Sequence, residues 1–359
     1  MYSEKALIHG GDIYTHRDLK PGQKLLDFSA NLNPLGMPES VKQAAISAIS
    51  ASEAYPDPLC RELREAISKE EGIPAGQIVC GNGAADLLYR LVWAVKPEKG
   101  LVLAPTFAEY ELALQNAGAE TEIFPLSPEK GFAPDEAVLD AVKPGVSIVF
   151  FCNPNNPTGI TAGREYLCRL AEKCREAGAL LVIDECFLSF VEKGAEKSMV
   201  PALSRFENLL ILKAFTKLYA MAGLRLGYLL CGSEKLAGEI AASGQAWSVS
   251  TPAQAAGIAA LSEREYAAKT REYVRENRAF LHKTLEEAGA QVFPSEANYL
   301  FFRWRDGHLP EELLKHGILI RSCKNYHSLD ETYYRIAVRT AEENRAFAAA
   351  LRQIAGQKG

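Results

Sequence analysis

Between Gln77 and Gly232 the chain alternates apolar, strand-like runs with amphipathic, helix-like stretches, and that alternation fixes the class of fold. QIVCGNG leads into AADLLYRLVWAV, GLVLAP into TFAEYELALQNAG, and SIVFFCNPNNPTG into REYLCRLAEKCREAG. AETEIFP, ALLVIDECFLSF, NLLILKAFTK and RLGYLLCG supply further strands. Near-continuous apolar runs of this length suit strands buried on both faces, and repeated strand–helix units join such strands in parallel. A mostly parallel α/β sheet covered by helices follows, with the right-handed crossover rule gathering the strand C-terminal ends along one edge. Open sheets of this kind bind ligands at that edge. The loops there are rich in polar residues: Asn82 and Gly83, Asn153 to Gly159, Asp184 and Glu185, Thr216 and Lys217.

The flanks have a different texture. His9 to Asp12 reads as an irregular arm, and DFSANLNPLG (27–36) as a loop of turn formers. A short helix is expected from Pro38, and LCRELREAISKEEG is an amphipathic helix ended by Gly72. Beyond Cys231 the pattern turns helical, with one very long helix after Pro252 broken near Leu261. From AQVFP onward, short strands mix with two helices, as in a second, α+β unit with its own sheet. The expected division is 1–45, amino-terminal arm and part of the small domain; 46–255, large domain; 256–288, linking helix; 289–359, small domain.

Composition narrows the function. With 40 basic against 45 acidic residues the formal charge is -5, which argues against a nucleic-acid surface. No apolar run reaches the roughly 18 residues of a membrane span, and MYSEKALIHGG has no apolar signal region, so a soluble cytoplasmic protein is expected. The eight cysteines form no CxxC pair and read as free thiols in a reducing compartment, with no metal site expected. There is no P-loop and no GxGxxG; GNGAAD opens a helix and is a credible phosphate-binding turn.

The chemistry concentrates in ENLLILKAFTKLYAMAGLRLGYLL (207–230), which reads as strand, lysine-bearing loop, glycine turn, strand. Lys217 and Arg225, both attached to hydrophobic strands, are costly to place without partners. A lysine that bonds a cofactor aldehyde and an arginine that neutralises its phosphate would want this arrangement. Asp184, at the end of LLVID, can pair with a protonated ring nitrogen, and Asn156, in NPNNPTG, can donate to a phenolate oxygen. Together the four supply each polar handle that pyridoxal phosphate (PLP) offers.

At these motifs the chain resembles the fold-type-I PLP enzymes of the class I/II aminotransferase superfamily, over essentially its whole length. The resemblance implies a seven-stranded type of sheet in the large domain. Lys217 rather than Lys213 is implied as the cofactor-bonding lysine, since the family's lysine stands eight before the arginine of GLRLGY. Catalytic roles are thereby implied for Lys217 and Asp184. Gly83, Ala84, Ala85, Thr216 and Arg225 would surround the cofactor phosphate, Phe107 in PTFAEY would stack on the ring, and Asn156 would meet the ring hydroxyl and the substrate. Tyr55 in YPD would reach the phosphate across a homodimer interface. Arg339 in IAVR would clamp the substrate carboxylate, with Arg335 in the same substrate-binding set. HGGD, DFSANLNPLG, FAEYELAL, AWSVS and ILIRSCKNY resemble segments of the superfamily's decarboxylases for a phosphorylated amino acid. On that likeness His9 and Arg321 would bind the substrate phosphate, and backbone near Leu32 and Asn33 the carboxylate. Decarboxylation is the expected reaction and transamination of a phosphorylated substrate the alternative. Two positions depart from the family: Ala214 stands where a hydroxyl often serves the phosphate, and Phe187 where a tyrosine often serves the ring oxygen.

Overall fold

Seven of the apolar runs pair into one sheet. A computed structural model describes residues 9–15 and 25–356; residues 1–8 and 16–24 of the expected arm lie outside the described residues. Strand β1 (Leu26–Asp27) is followed by β2 (Ile78–Gly81), β3 (Lys99–Ala104), β4 (Glu120–Pro125), β5 (Ile148–Cys152), β6 (Leu180–Asp184), β7 (Leu209–Ala214) and β8 (Gly227–Cys231). The large sheet has the order β2-β8-β7-β6-β5-β3-β4. Only β8 runs against its neighbours, antiparallel to both β2 and β7. Parallel pairs need crossovers, and helices Ala84–Val95, Glu109–Asn116 and Arg164–Ala177 supply them.

Alternation along the strands decides what each face buries. Val149, Phe151, Leu181, Ile183, Leu209 and Ile211 enter one core, while Ile148, Phe150, Val182, Leu210 and Leu212 enter the other. Both sets are buried, so the sheet is covered on both faces; each such side chain contributes about 1.5–3 kcal/mol. All eight cysteines are free thiols, seven of them buried. Among the described residues no helix is long and apolar enough to cross a membrane.

The C-terminal part builds its own sheet from β9 (Gln291–Val292), β10 (Tyr299–Arg303), β11 (Ile318–Leu319), β12 (Arg321–Ser322) and β13 (Tyr333–Ala337). Four of these pair antiparallel in the order β12-β13-β10-β9, and β11 pairs in parallel with β1. The run ILIRSC, read as one strand, is thus shared between two sheets. The long helical stretch divides into Thr251–Leu261 and Arg264–Glu287. Ser250 caps the first of these by accepting from the Ala253 amide. One local expectation changes: the lysine-bearing loop after β7 is a short helix, Phe215–Leu218. Phe215 is buried against Tyr228 and Tyr219, and the turn this imposes brings Lys217 round to the strand-end edge.

Candidate active site

The C-terminal ends of β5, β6 and β7 open on a cavity of about 330 Å³. Register explains the convergence: Cys152 pairs with Asp184 and Asp184 with Leu212, so three neighbouring strands end together. Asp184, Asn156, Thr216, Lys217 and Arg225 all line this space.

Asp184 is buried and oriented from two sides. Its Oδ2 accepts from the Tyr110 hydroxyl at 2.6 Å and its Oδ1 from the Cys186 amide at 2.9 Å. Tyr110 stacks on Phe150 with centroids 5.2 Å apart. Burial, followed by the charge of Asp184, pushes its phenol pKa well up, so it serves as a donor. Lys217 is the opposite case. Burial chiefly, helped by the charges of Arg335 and Arg225, pulls its ammonium down to about 8. Lys213 points elsewhere. Its Nζ lies 2.9 Å from both Glu71 carboxylate oxygens and 3.7 Å from Glu185, beside a separate cavity of about 430 Å³. That cavity is the larger, but it lacks Asp184, Asn156 and Arg225.

The phosphate-binding turn is built by close approach. Gly83 has φ +87, and a Cβ there would lie 2.5 Å from Arg225 Nη2. At Gly227 a Cβ would lie 2.8 Å from the Ala84 amide nitrogen. Helix Ala84–Val95 starts with no side-chain cap, which leaves its first amides directed at the cavity mouth beside Arg225. Gly83 therefore sits behind Arg225 rather than on the cavity wall, which Ala84 and Ala85 reach. Thr106, Asn155 and Tyr299 tie the Phe107 loop to the Asn156 loop through bonds of 2.7–2.9 Å: the Thr106 hydroxyl to Asn155 Oδ1, Asn155 Nδ2 to the Pro105 carbonyl, and the Tyr299 hydroxyl to the Asn155 carbonyl. Phe107 lines the cavity, as does Phe187, whose ring meets Tyr299 edge-on.

The small sheet delivers the other cations. Arg335 on β13 is directly opposite Arg321 on β12, and both line the cavity. Arg335 donates to Asn156 Oδ1 and, at 2.6 Å, to the Ser29 carbonyl, while its buried Nε has no partner among the described residues. Arg321 donates to Asn325 at 2.7 Å and lies over the Tyr326 ring. His9 lines the same space from the arm.

Two expectations need correction. Arg339 does not line the cavity; it lies past the end of β13, 3.3 Å from Glu343, and Arg335 lines the cavity instead. Leu32 and Asn33 are set back as well. Asn33 donates to the Leu218 carbonyl and to Thr270, bracing the Lys217 turn, and the arm's wall is made by Ser29, Ala30 and Asn31. Tyr55 is 80% exposed, stacked on Trp247, and outside its own chain's cavity. Sequence reasoning missed Tyr110, Cys186 and Tyr326. For Tyr110 the available signal was its place three residues after Phe107 in a helix facing the sheet.

The arrangement fits PLP. An open helix start and Arg225 suit a phosphate, Asp184 a ring nitrogen, Asn156 a ring oxygen, and an amine of lowered pKa an aldehyde. The model of the family described as aminotransferase class I and II matches residues 23–351. The threonine-phosphate decarboxylase of Salmonella typhimurium is 38% identical over 352 residues, 96% of each chain. The histidinol-phosphate aminotransferase of Methanosarcina mazei is 34% identical over 91% of this chain and 87% of that one. The crystal structure of the histidinol-phosphate aminotransferase from Clostridium acetobutylicum superposes with a TM-score of 0.86 at 29% identity, covering 93% of this chain and all of that one.

Proposed function

The chain belongs to the aminotransferase class I and II family, with PLP as its cofactor, and on that premise we propose that it decarboxylates L-threonine O-3-phosphate. The products are CO₂ and (R)-1-aminopropan-2-yl phosphate, a building block for cobalamin. The observation that carries this reading is the pair Arg321 and Arg335, like charges directly opposite on adjacent strands and facing one cavity. Like charges so placed repel, and a ligand with two separate anionic groups is stabilised by both. A phosphorylated amino acid is such a ligand, and the 38% identity to a threonine-phosphate decarboxylase adds support.

When bound, PLP supplies an electron sink for the bond at the substrate Cα that stands perpendicular to its ring. The residues decide which bond that is. Arg335, fixed by Asn156 and Ser29, grips the carboxylate and sets its angle. Arg321 and His9 hold the phosphate. Asp184, oriented by Tyr110 and Cys186, keeps a proton on the ring nitrogen. Lys217, with a pKa of about 8, can return a proton to Cα near neutral pH. Thr216, which lines the cavity, would offer the cofactor phosphate the hydroxyl that Ala214 lacks. Tyr55, turned outward, reaches the partner's cofactor phosphate in a homodimer.

The second reading is transamination of histidinol phosphate, supported by the 34% relative and the similar crystal structure. It leaves the Cα–H bond perpendicular, a displacement of about an ångström, and a carboxylate for Arg335 then comes from 2-oxoglutarate, since histidinol phosphate has none. Phosphoserine differs by one methyl, worth ~1–3 kcal/mol of discrimination. The deciding experiment supplies the PLP-loaded protein with phosphothreonine, with phosphoserine, or with histidinol phosphate plus 2-oxoglutarate. CO₂ and aminopropanol phosphate from the first are expected. Glutamate from the third, without CO₂ from the first, overturns the decarboxylase reading.

A further inference from the structure

The first turn of helix Glu109–Asn116 carries two carboxylates, and each holds a histidine from a different part of the chain. His9 Nε2, on the arm, lies 2.6 Å from Glu109 Oε1, and the Tyr89 hydroxyl donates to Glu109 Oε2 at 3.0 Å. His327 Nε2, in the loop after β12, lies 2.7 Å from Glu111 Oε2. Between the two pairs sits Phe107: its ring is 5.5 Å from that of His9, and it shares a small cleft with Glu111, Tyr326 and His327. Both histidines continue directly into the substrate-binding elements. Gly10 presses on the Ser29 carbonyl so closely that a Cβ would lie 2.1 Å from its oxygen. On the other side, Asn325 and Tyr326 are the residues that hold Arg321.

We propose that Glu109 and Glu111 are positioning residues, a two-point latch that gathers residues 9–15 and the 323–328 loop over the cavity so that His9 and Arg321 meet the substrate phosphate. The proposal rests on the reading that the substrate is a phosphorylated amino acid. The histidine side chains are 40% and 53% exposed, so each pair is weak and solvent-screened. Weak pairs suit a contact that forms and parts reversibly as ligand comes and goes. Two of them acting on separate segments can do together what neither does alone. Glu109 also shapes the charge of the wall. The hydrogen bond from His9, the largest influence on it, keeps its carboxyl below the usual range, so it is a fixed anion at the cavity edge.

The test compares wild-type holoenzyme with Glu109→Gln, Glu111→Gln and the double variant. Binding of L-threonine O-phosphate and of L-threonine is followed by the change in cofactor absorbance, and turnover is measured alongside. Each single substitution is expected to weaken the phosphorylated ligand by up to about fivefold, and the double by about tenfold or more. L-threonine binding, kcat and PLP affinity should change less than about twofold. In the double variant of the apo protein, amide exchange should accelerate in segments 9–15 and 321–328 and not in β6 or β7. A double variant that binds phosphothreonine like wild type, or that loses both ligands equally, overturns the latch. A wild-type protein that does not prefer phosphothreonine over threonine overturns the functional reading beneath it instead.

Discussion

Lys213 and Lys217 are four residues apart and have opposite surroundings. Lys213 is matched by Glu71 and Glu185, while at Lys217 burial, with the charges of Arg335 and Arg225, outweighs the opposing charge of Asp184. Lys217→Ala should therefore abolish turnover and the visible absorption of bound PLP. Lys213→Ala should keep that absorption but lower unfolding free energy by about 2–3 kcal/mol, because buried Glu185 loses its partner; denaturant titration checks it. The lowered pKa of Lys217 gives a pH prediction with a definite sign. Only the free amine attacks an aldehyde, and the folded-state pKa lies below the ordinary lysine value. Cofactor loading of the apo protein should thus rise with pH through about 8, and level off above it rather than continue toward the ~10.4 of an exposed lysine. A loading curve that keeps rising above about pH 10 would place the bond on a solvated lysine instead.

At the scale of elements, the turn before helix Ala84–Val95 depends on having no side chain at residue 83. Gly83→Ala places a Cβ against Arg225 on backbone already at φ +87. It should weaken PLP binding about tenfold or more, with a strain cost of ~1–2 kcal/mol, read by fluorescence titration of the apo protein. All seven large-sheet strands were legible in the sequence, most as nearly pure apolar runs with polar loops at one end and the edge strand β4, with Glu120, Thr121 and Glu122, from its place in the strand–helix alternation. Which arginine enters the cavity was not legible. Arg335 and Arg339 sit four apart in TYYRIAVR, and which one faces the cavity depends on where β13 ends and on its register with β12 and β10. Register is fixed by pairing between segments distant in the chain, which no local pattern records. The same limit hid Tyr110, whose partner Asp184 is on a different strand–helix unit. It also turned the expected lysine loop into a short helix, since the anchoring of Phe215 between Tyr219 and Tyr228 is tertiary.

At the scale of the whole molecule, the cavity is assembled from the large sheet, the small sheet and the arm, and Tyr55 lies outside it. In the proposed homodimer, Tyr55→Phe should raise the PLP dissociation constant while leaving the sedimentation coefficient of the dimer unchanged. A variant that binds PLP as tightly as wild type would remove Tyr55 from the cofactor set. The outward station of Tyr55 has a consequence for how the protein ages in dilute solution. If each cavity borrows a hydroxyl from its neighbour, retention of colour becomes a property of pairs rather than of chains. Dilution would then bleach the protein before unfolding it, and added Lys217→Ala protomers, colourless themselves, would restore the colour by mass action.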